Sequence, residues 1–295
     1  MIKKKLLAIL LSALMVASVP VYADPFTYTA LTSSNGLSNV TFDTQISGAK
    51  GVSLPSVTVA YSVGAVTKTG SATADGVSGT LTITSSSVTA GSTAVIPADG
   101  TYEAPATVNL TNLTFTKPGE YVWPITVDTT NSSSSVPGFS ITDSAVTKYL
   151  HVNIIDIVGD QTNINTNGTL AQSTVYLSTS ATTTDSDTNQ VDDNKTSSFA
   201  AAYGTKSLTI NAAVSGNMGD KTQTFDYEVA LTGCNPGTSI DGQEVNNNGE
   251  VTCTHEDLTH GETFTITGIP AGAEYTVTQG TITGYTTSVL VSKEP

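Results

Sequence analysis

Apolar and polar residues alternate over most of this chain, in short segments separated by Gly, Pro, Asn and Ser clusters. Alternation puts every second side chain on one face, so each segment has a face to bury as a strand. The pattern predicts strands over Phe26–Leu31, Val40–Ile46, Ser56–Val63, Gly79–Thr84, Ala106–Phe115, Gly119–Val127, Lys148–Ile155, Thr174–Leu177 and Lys206–Val214. Further strands are predicted over Thr224–Leu231, Glu250–Cys253, Thr263–Thr267 and Tyr275–Gln279, with Phe199–Tyr203 as a short one. No segment after the first 23 residues sets apolar residues at helical spacing over three turns. Many short strands with turns between them imply an all-β protein built from sandwiches.

The first residues follow another rule. Lys3, Lys4 and Lys5 precede an apolar run from Leu6 to Val19, and Val21-Tyr22-Ala23 supplies small residues at a cleavage site. This is the pattern of a secretory signal peptide, and the run is short for a membrane span, which takes about 20 residues. Residues 1–23 are therefore read as a cleaved signal, and no other stretch is apolar enough to span, so no membrane insertion of the mature chain is expected.

The remaining length, about 270 residues, is long for one sandwich and sufficient for two. Ser178–Asp187 and Gln190–Ser198 are polar runs, read either as a boundary region or as a surface hairpin loop within a first unit. Phe199–Tyr203 reads as the last strand of that unit and Gly204 as the joint. The expected division is a signal peptide at 1–23, a first sandwich at 24–204 and a second at 205–295. Phe26-Thr27-Tyr28-Thr29-Ala30 and Leu208-Thr209-Ile210-Asn211-Ala212 open the two units in similar fashion.

Charge excludes two partner classes. All eleven basic residues are Lys; losing three of them with the signal takes the net charge from −14 to −17. A field of that sign repels phosphate backbones and anionic lipid, so neither nucleic acid nor membrane surface is expected as a partner. The two cysteines, Cys234 and Cys253, suggest a disulfide in an exported protein, with free thiols or a metal pair as alternatives. Two thiolates without nearby ligands make a poor zinc site, although His255 and His260 lie close in sequence.

Candidate chemistry is sparse. Ser residues are plentiful, but none lies in a Gly-x-Ser-x-Gly turn, so a catalytic triad has no local signature. His151 falls within a predicted strand, where a surface or cross-strand role is expected, and His255 and His260 flank Glu256-Asp257 in a turn-rich stretch and read as solvated. The Asp185–Asp193 stretch lacks the Gly and terminal Glu of a calcium loop in register and reads as a solvated acidic loop. Trp123 reads as a core residue rather than a sugar platform, and Pro124 after it belongs at an edge or bulge. No metal and no cofactor is expected.

The second unit carries a more specific pattern. Ser207-Leu208-Thr209-Ile210, Val214-Ser215-Gly216-Asn217, Asp220-Lys221, Thr224-Phe225, Gly261-Glu262, Thr265-Ile266-Thr267-Gly268-Ile269-Pro270-Ala271-Gly272, Tyr275-Thr276-Val277-Thr278 and Gly284-Tyr285-Thr286-Thr287 occur in this order. Together they resemble the pilin isopeptide-linkage domains of Gram-positive pilin subunits, and residues 26–203 resemble the N-terminal member of that architecture. The resemblance implies immunoglobulin-like sandwiches and, in each, a Lys on the first strand bonded to an Asn on the last, with a buried acid as catalyst. A desolvated Lys is driven towards its nucleophilic neutral amine, and a protonated acid polarises the amide. Here the implied positions fall on residues without that chemistry: Ala30 and Ala201 for Lys and Asn in the first unit, Ala212 for Lys and Gln279 for the acid in the second. Asp128 is a weak acid candidate with no matching Lys. Neither unit is expected to form the bond, whether the alanines are natural or introduced. The family pattern also runs one strand beyond Tyr285-Thr286-Thr287, and no sortase motif is present, so the second sandwich is expected to be truncated.

Taken with the resemblance, the expectation is a structural or adhesive cell-surface protein, a pilin-like stalk or fibre subunit without turnover. Its location would be secreted, at the surface or wall of a Gram-positive bacterium. Its partners would be other surface or pilus subunits or a host ligand. The alternative is a secreted module that binds a host glycan or protein through its loops.

Overall fold

A computed structural model describes residues 28–157, 168–182 and 198–291. The signal segment and the Asp185–Asp193 stretch lie outside the described residues.

The strands up to Tyr203 are β1 (Val40–Gly48), β2 (Val57–Val63), β3 (Thr67–Lys68), β4 (Val77–Gly79), β5 (Thr82–Ile83), β6 (Ser86–Val88) and β7 (Thr101–Asn109), followed by β8 (Leu113–Phe115), β9 (Gly119–Asp128), β10 (Phe139–Ile141), β11 (Thr147–Ile157), β12 (Thr169–Ser178) and β13 (Ser198–Tyr203). One sheet runs β10-β13-β1-β7-β5 and the other β12-β11-β9-β2-β6, with β3 beside β9; β4 pairs β8 separately. Both sheets contribute to one buried cluster that extends from Leu31 to Tyr203. On β1 the inward residues are Phe42, Thr44 and Ile46, and on β13 they are Phe199, Ala201 and Tyr203, the period of two that the sequence shows.

β9 is the spine of this core. Tyr121, Trp123, Ile125 and Val127 are all buried on it, and Tyr121 packs on Phe115 with ring centroids 4.9 Å apart. Trp123 is thus a core residue. Pro124, however, sits in an interior strand rather than at an edge. β3 pairs with Tyr121 and Val122 and β2 with residues from Ile125 onwards, so Pro124 faces the gap between them. Gly64 crosses that gap and donates to the Pro124 carbonyl at 2.8 Å. A residue's N–H and C=O point to the same neighbour, so the N–H that Pro lacks is missing where no ladder partner exists. The crossing chain comes so close that a Cβ on Gly64 would lie 2.5 Å from Pro124 Cγ.

Three predicted strands change form. Of the Phe26–Leu31 segment, the described residues from Tyr28 contribute single bridges at Thr29 and Leu31. Ala106–Phe115 divides into β7 and β8 around a 3₁₀ turn at Leu110–Asn112, because Asn39 Oδ1 accepts the Leu110 and Thr111 amides and draws them out of the ladder. Gly79–Thr84 divides into β4 and β5 at Gly79, whose φ is +96°.

The remaining strands are β14 (Thr205–Asn211), β15 (Phe225–Thr232), β16 (Ser239–Ile240), β17 (Gln243–Glu244), β18 (Val251–Leu258), β19 (Thr263–Pro270) and β20 (Glu274–Gln279). β14 pairs β19, β15 lies between β18 and β20, and β16 pairs β17. A second buried cluster gathers Val229, Leu231, Cys234, Ile240, Val245, Val251, Cys253, Ile266 and Ile269. The two clusters fall on either side of Gly204, whose amide donates to Gly138 O at 2.8 Å. Close by, the buried Asn235 side-chain amide donates to Tyr203 Oη and to Pro137 O, both at 3.0 Å.

Candidate functional site

The feature that sets the first cluster apart is the pairing of its first full strand with its last. β1 and β13 run parallel, from Asp43 opposite Ser198 to Gly48 opposite Tyr203, and β7 covers the other side of β1. Tension entering before β1 and leaving through β13 would act along this ladder. Its hydrogen bonds would then be loaded together in shear rather than opened one at a time.

The positions implied for a cross-link do not assemble around that ladder. Ala30 precedes β1, between the bridges of Thr29 and Leu31, whereas Ala201 lies opposite Ile46. The fully buried side chain in mid-β1 is Thr44, opposite Phe199. Ala212 is buried just past β14, with its amide on Glu262 O at 2.9 Å, while Gln279 ends β20 in the other sheet, opposite Tyr227. Asp128 is solvent-facing and holds a turn: its carboxylate accepts from the Asn131 side chain at 2.7 Å and from the Thr130 and Asn131 amides. These bonds, led by the Asn131 side chain, lower its pKa, which is opposite to the protonated state the implied acid needs.

Two non-covalent devices occupy the ladder instead. Thr44 Oγ1, Tyr61 Oη and Ser86 Oγ form a closed hydrogen-bonded trio. Ser86 lies 3.0 Å from Thr44 and 2.7 Å from Tyr61, and Thr44 bonds Tyr61 directly. The Tyr61 ring packs among Phe42 and Phe199 at centroid distances of 5.0 and 5.3 Å, and its burial raises the phenol pKa. The second device is Lys148 of β11. Its ammonium pairs with Asp143 at 3.0 Å, with side-chain exposures of only 8% and 16%. It also donates to the Ser198 carbonyl and lies 4.8 Å above the Phe199 ring. Asp143 Oδ2 in turn accepts the Ala200 amide at 3.0 Å. One buried ion pair therefore ties the start of β13 to β11, across the two sheets.

A third cluster is one that local sequence motifs miss. His151 is fully buried; its Nδ1 lies 2.8 Å from Glu120 Oε1, and its Nε2 lies 2.9 Å from both Ser178 Oγ and Ser180 O. Ser178, His151 and Glu120 stand in the order of a hydrolytic triad, but each is also tied to a structural partner. Ser178 Oγ donates to Ser180 O at 2.6 Å, the same carbonyl that lies against Nε2, and Nδ1 faces the Glu120 carboxylate. Tyr176 stacks on the imidazole at 4.7 Å and donates to Glu120, and Thr69 donates to the other Glu120 oxygen. The cluster staples β9, β11 and β12 together. Its cue was the strand register, which sets His151 opposite Tyr176 and Val122.

In the second unit the expected disulfide is not formed: Cys234 and Cys253 are free and buried. Cys253 lies in mid-β18 opposite Val229 with its thiol towards Ile240 O at 3.9 Å, whereas Cys234 lies beyond the end of β15 with its amide on Gly249 O. Both act as small apolar core residues. Burial, then the charges of Asp241 and Cys234, push Cys253 up to about 11. His255 lies in β18 rather than in a loop, bonded to Asp241 at 2.8 Å and stacked on Phe264 at 3.9 Å. His260 Nδ1 accepts the Val214 amide at 2.9 Å. Among the described residues no group of three or more potential ligands is placed to hold a metal. No helix of those residues is long and apolar enough to cross a membrane. A cleft of about 800 Å³ is lined by Lys50 and Ser53 together with Thr238, Asp241, Glu244 and Thr267.

Comparison with known proteins places this geometry. Residues 206–294 match the profile of a domain of unknown function, DUF7601. A stretch of 95 residues is 33% identical to the pilus tip adhesin Cpa of Streptococcus pyogenes; it covers 31% of this chain, and the chain spans 14% of the length of that adhesin. Among solved structures, a mutant of the major pilin of Streptococcus pyogenes superposes with a TM-score of 0.50 at 17% identity, covering 84% of this chain and 83% of the pilin. The unsubstituted major pilin gives a TM-score of 0.49 at 16% identity, with the same coverage. In fold this chain is an all-β protein similar to the major pilin of Streptococcus pyogenes, and part of its sequence is similar to a pilus tip adhesin.

Proposed function

We propose that this chain is a load-bearing subunit or stalk segment of a Gram-positive surface structure, exported by its signal peptide, divided into two sandwich domains at Gly204, and without turnover. The observation that carries the reading is the parallel pairing of β1 with β13, which would set the first domain to resist tension in shear. The family to which the sequence is similar would lock this ladder covalently. Here Ala201 removes the acceptor, and the Thr44 trio and the Lys148–Asp143 pair hold the same region by hydrogen bonds and charge. Partners would be further surface or pilus subunits.

Force spectroscopy of the chain pulled from its two ends tests the reading. We expect the first domain to give one cooperative high-force event, lowered by Lys148→Met, because forced unfolding follows the unfolding barrier. A first domain that peels open at low force through several small steps would refute it.

A second reading rests on the cleft. Its hydroxyl, Lys and carboxylate lining suits a polar ligand such as a host glycan. A glycan array would support it through a hit abolished by Glu244→Trp, which sets a bulky ring on an exposed wall of the cleft.

A further inference from the structure

We infer that Asn248 is a site of spontaneous covalent modification, at which the Gly249 amide nitrogen attacks the Asn248 carboxamide and converts it to an aspartyl or isoaspartyl residue. The inference goes beyond the load-bearing and cleft readings and rests on neither.

An Asn that precedes Gly is prone to this reaction, because Gly presents its amide with no side chain beside it and lets the backbone turn freely. The fold requires the Gly here. Its φ is +76°, and a Cβ on it would lie 2.7 Å from Cys234 O. Among the described residues one other Asn precedes a Gly, Asn35 before Gly36; Asn167, before Gly168, lies outside them. The Asn35 carboxamide is pinned through both its atoms: Oδ1 accepts the Thr32 amide at 2.6 Å, and Nδ2 donates to Ala30 O at 2.7 Å. The Asp residues that precede Gly are held as well, Asp75 by Lys117 at 2.7 Å, Asp99 by the Thr101 amide at 3.2 Å and Asp241 by His255 at 2.8 Å.

Asn248 differs from all of these. It is exposed, and among the described residues its carboxamide has no hydrogen-bond partner. Only the backbone restrains it. The Gly249 amide donates to Asn246 O at 3.0 Å, and Asn246 Oδ1 accepts the Asn248 and Glu250 amides at 2.9 and 3.0 Å. These bonds belong to one exposed turn, the kind of segment that opens locally at little cost. Once it opens, Gly249 N loses its proton and bonds to Asn248 Cγ, and the Cγ–Nδ2 bond breaks to release ammonia. Water then opens the five-membered imide at one carbonyl or the other. One opening gives an aspartyl residue and the other an isoaspartyl residue, whose backbone is one methylene longer; each adds a negative charge. The longer backbone displaces Gly249 O from the Cys234 amide, which it holds at 2.9 Å beside the second core.

Peptide mapping by mass spectrometry, on the folded chain aged in mildly alkaline buffer, tests the inference. We expect a gain of about 1 Da at Asn248, with both products present. Conversion there should outpace Asn35 by about tenfold or more, since two side-chain bonds pin Asn35 and none pins Asn248. Asn248→Gln should stop the reaction, because the longer side chain must close a six-membered ring. Asn246→Ala should hasten it by freeing the turn, and Cys234 should become open to alkylation in the isoaspartyl chains alone. Asn248 unchanged in the folded chain while it converts in guanidinium overturns the inference, and so does Asn35 converting as fast. An Asn246→Ala chain that ages no faster refutes the restraint by the turn, and equal alkylation of Cys234 in both products refutes its link to the core.

Discussion

Lys148 is the residue whose removal distinguishes a structural ion pair from an incidental one. Its ammonium and the Asp143 carboxylate are 8% and 16% exposed and 3.0 Å apart. Lys148→Met keeps the aliphatic stem and leaves Asp143 largely buried, with its carboxylate still accepting the Ala200 amide. Removing one member of a buried pair costs about 3–5 kcal/mol. The residual exposure of Asp143 and its surviving hydrogen bond set the expectation at the low end, about 3 kcal/mol. At about 2–4 °C per kcal/mol for a domain of this size, the transition should fall by about 6–12 °C. Trp123 is the only tryptophan in the chain and is buried in the first core, so its fluorescence follows this domain without interference from the second. The double variant Lys148→Met, Asp143→Leu removes the uncompensated charge, and most of the loss should return, with about 1 kcal/mol still missing for the Ala200 hydrogen bond. A Lys148→Met transition within 1–2 °C of the parent would show that the pair is screened, and the reasoning would fail. So would a double variant less stable than the single one.

Three further outcomes are expected. Burial, reinforced by the charge of Asp75, raises the Tyr121 phenol to about 12 from its ordinary value of 10.0. The unfolded chain therefore loses this proton first, and stability, intact below pH 10, should fall as pH rises from 10 to 12. Urea titrations at high pH should show a shallower fall for Tyr121→Phe. Gly64→Ala would set a Cβ 2.5 Å from Pro124 Cγ, a clash with a rigid ring that should cost about 1 kcal/mol by denaturant midpoint, the low end for overpacking because Gly64 is exposed. Thiol titration should find neither cysteine reactive in the native chain and both reactive in guanidinium, since both are buried and free; no thiol in guanidinium would mean a disulfide after all.

Much of the fold was legible in the alternation of residues. The strands from Val40, Ser56, Gly119, Lys148, Thr224 and Thr263 appear close to where the pattern sets them, because one face of each is buried and a period of two marks that face. Boundaries failed where a side chain intervened. Asn39 captures the amides that break Ala106–Phe115, and nothing local to that segment records it. Pro124 misled for a similar reason. A Pro argues for an edge only if every interior position needs its N–H, and the gap between β2 and β3 removes that need.

The sequence by itself determined the all-β class, the two cores and the absence of a local catalytic motif, since these follow from residue type and spacing. Only the tertiary structure decided that β13 lies beside β1, that Thr44 rather than Ala30 is buried in mid-ladder, and that Lys148 reaches Asp143 and Ser198. It alone decided that Glu120, His151 and Ser178 meet. Each of these joins residues from different strands, and the register that brings them together is set by packing of whole sheets, a property no single segment carries.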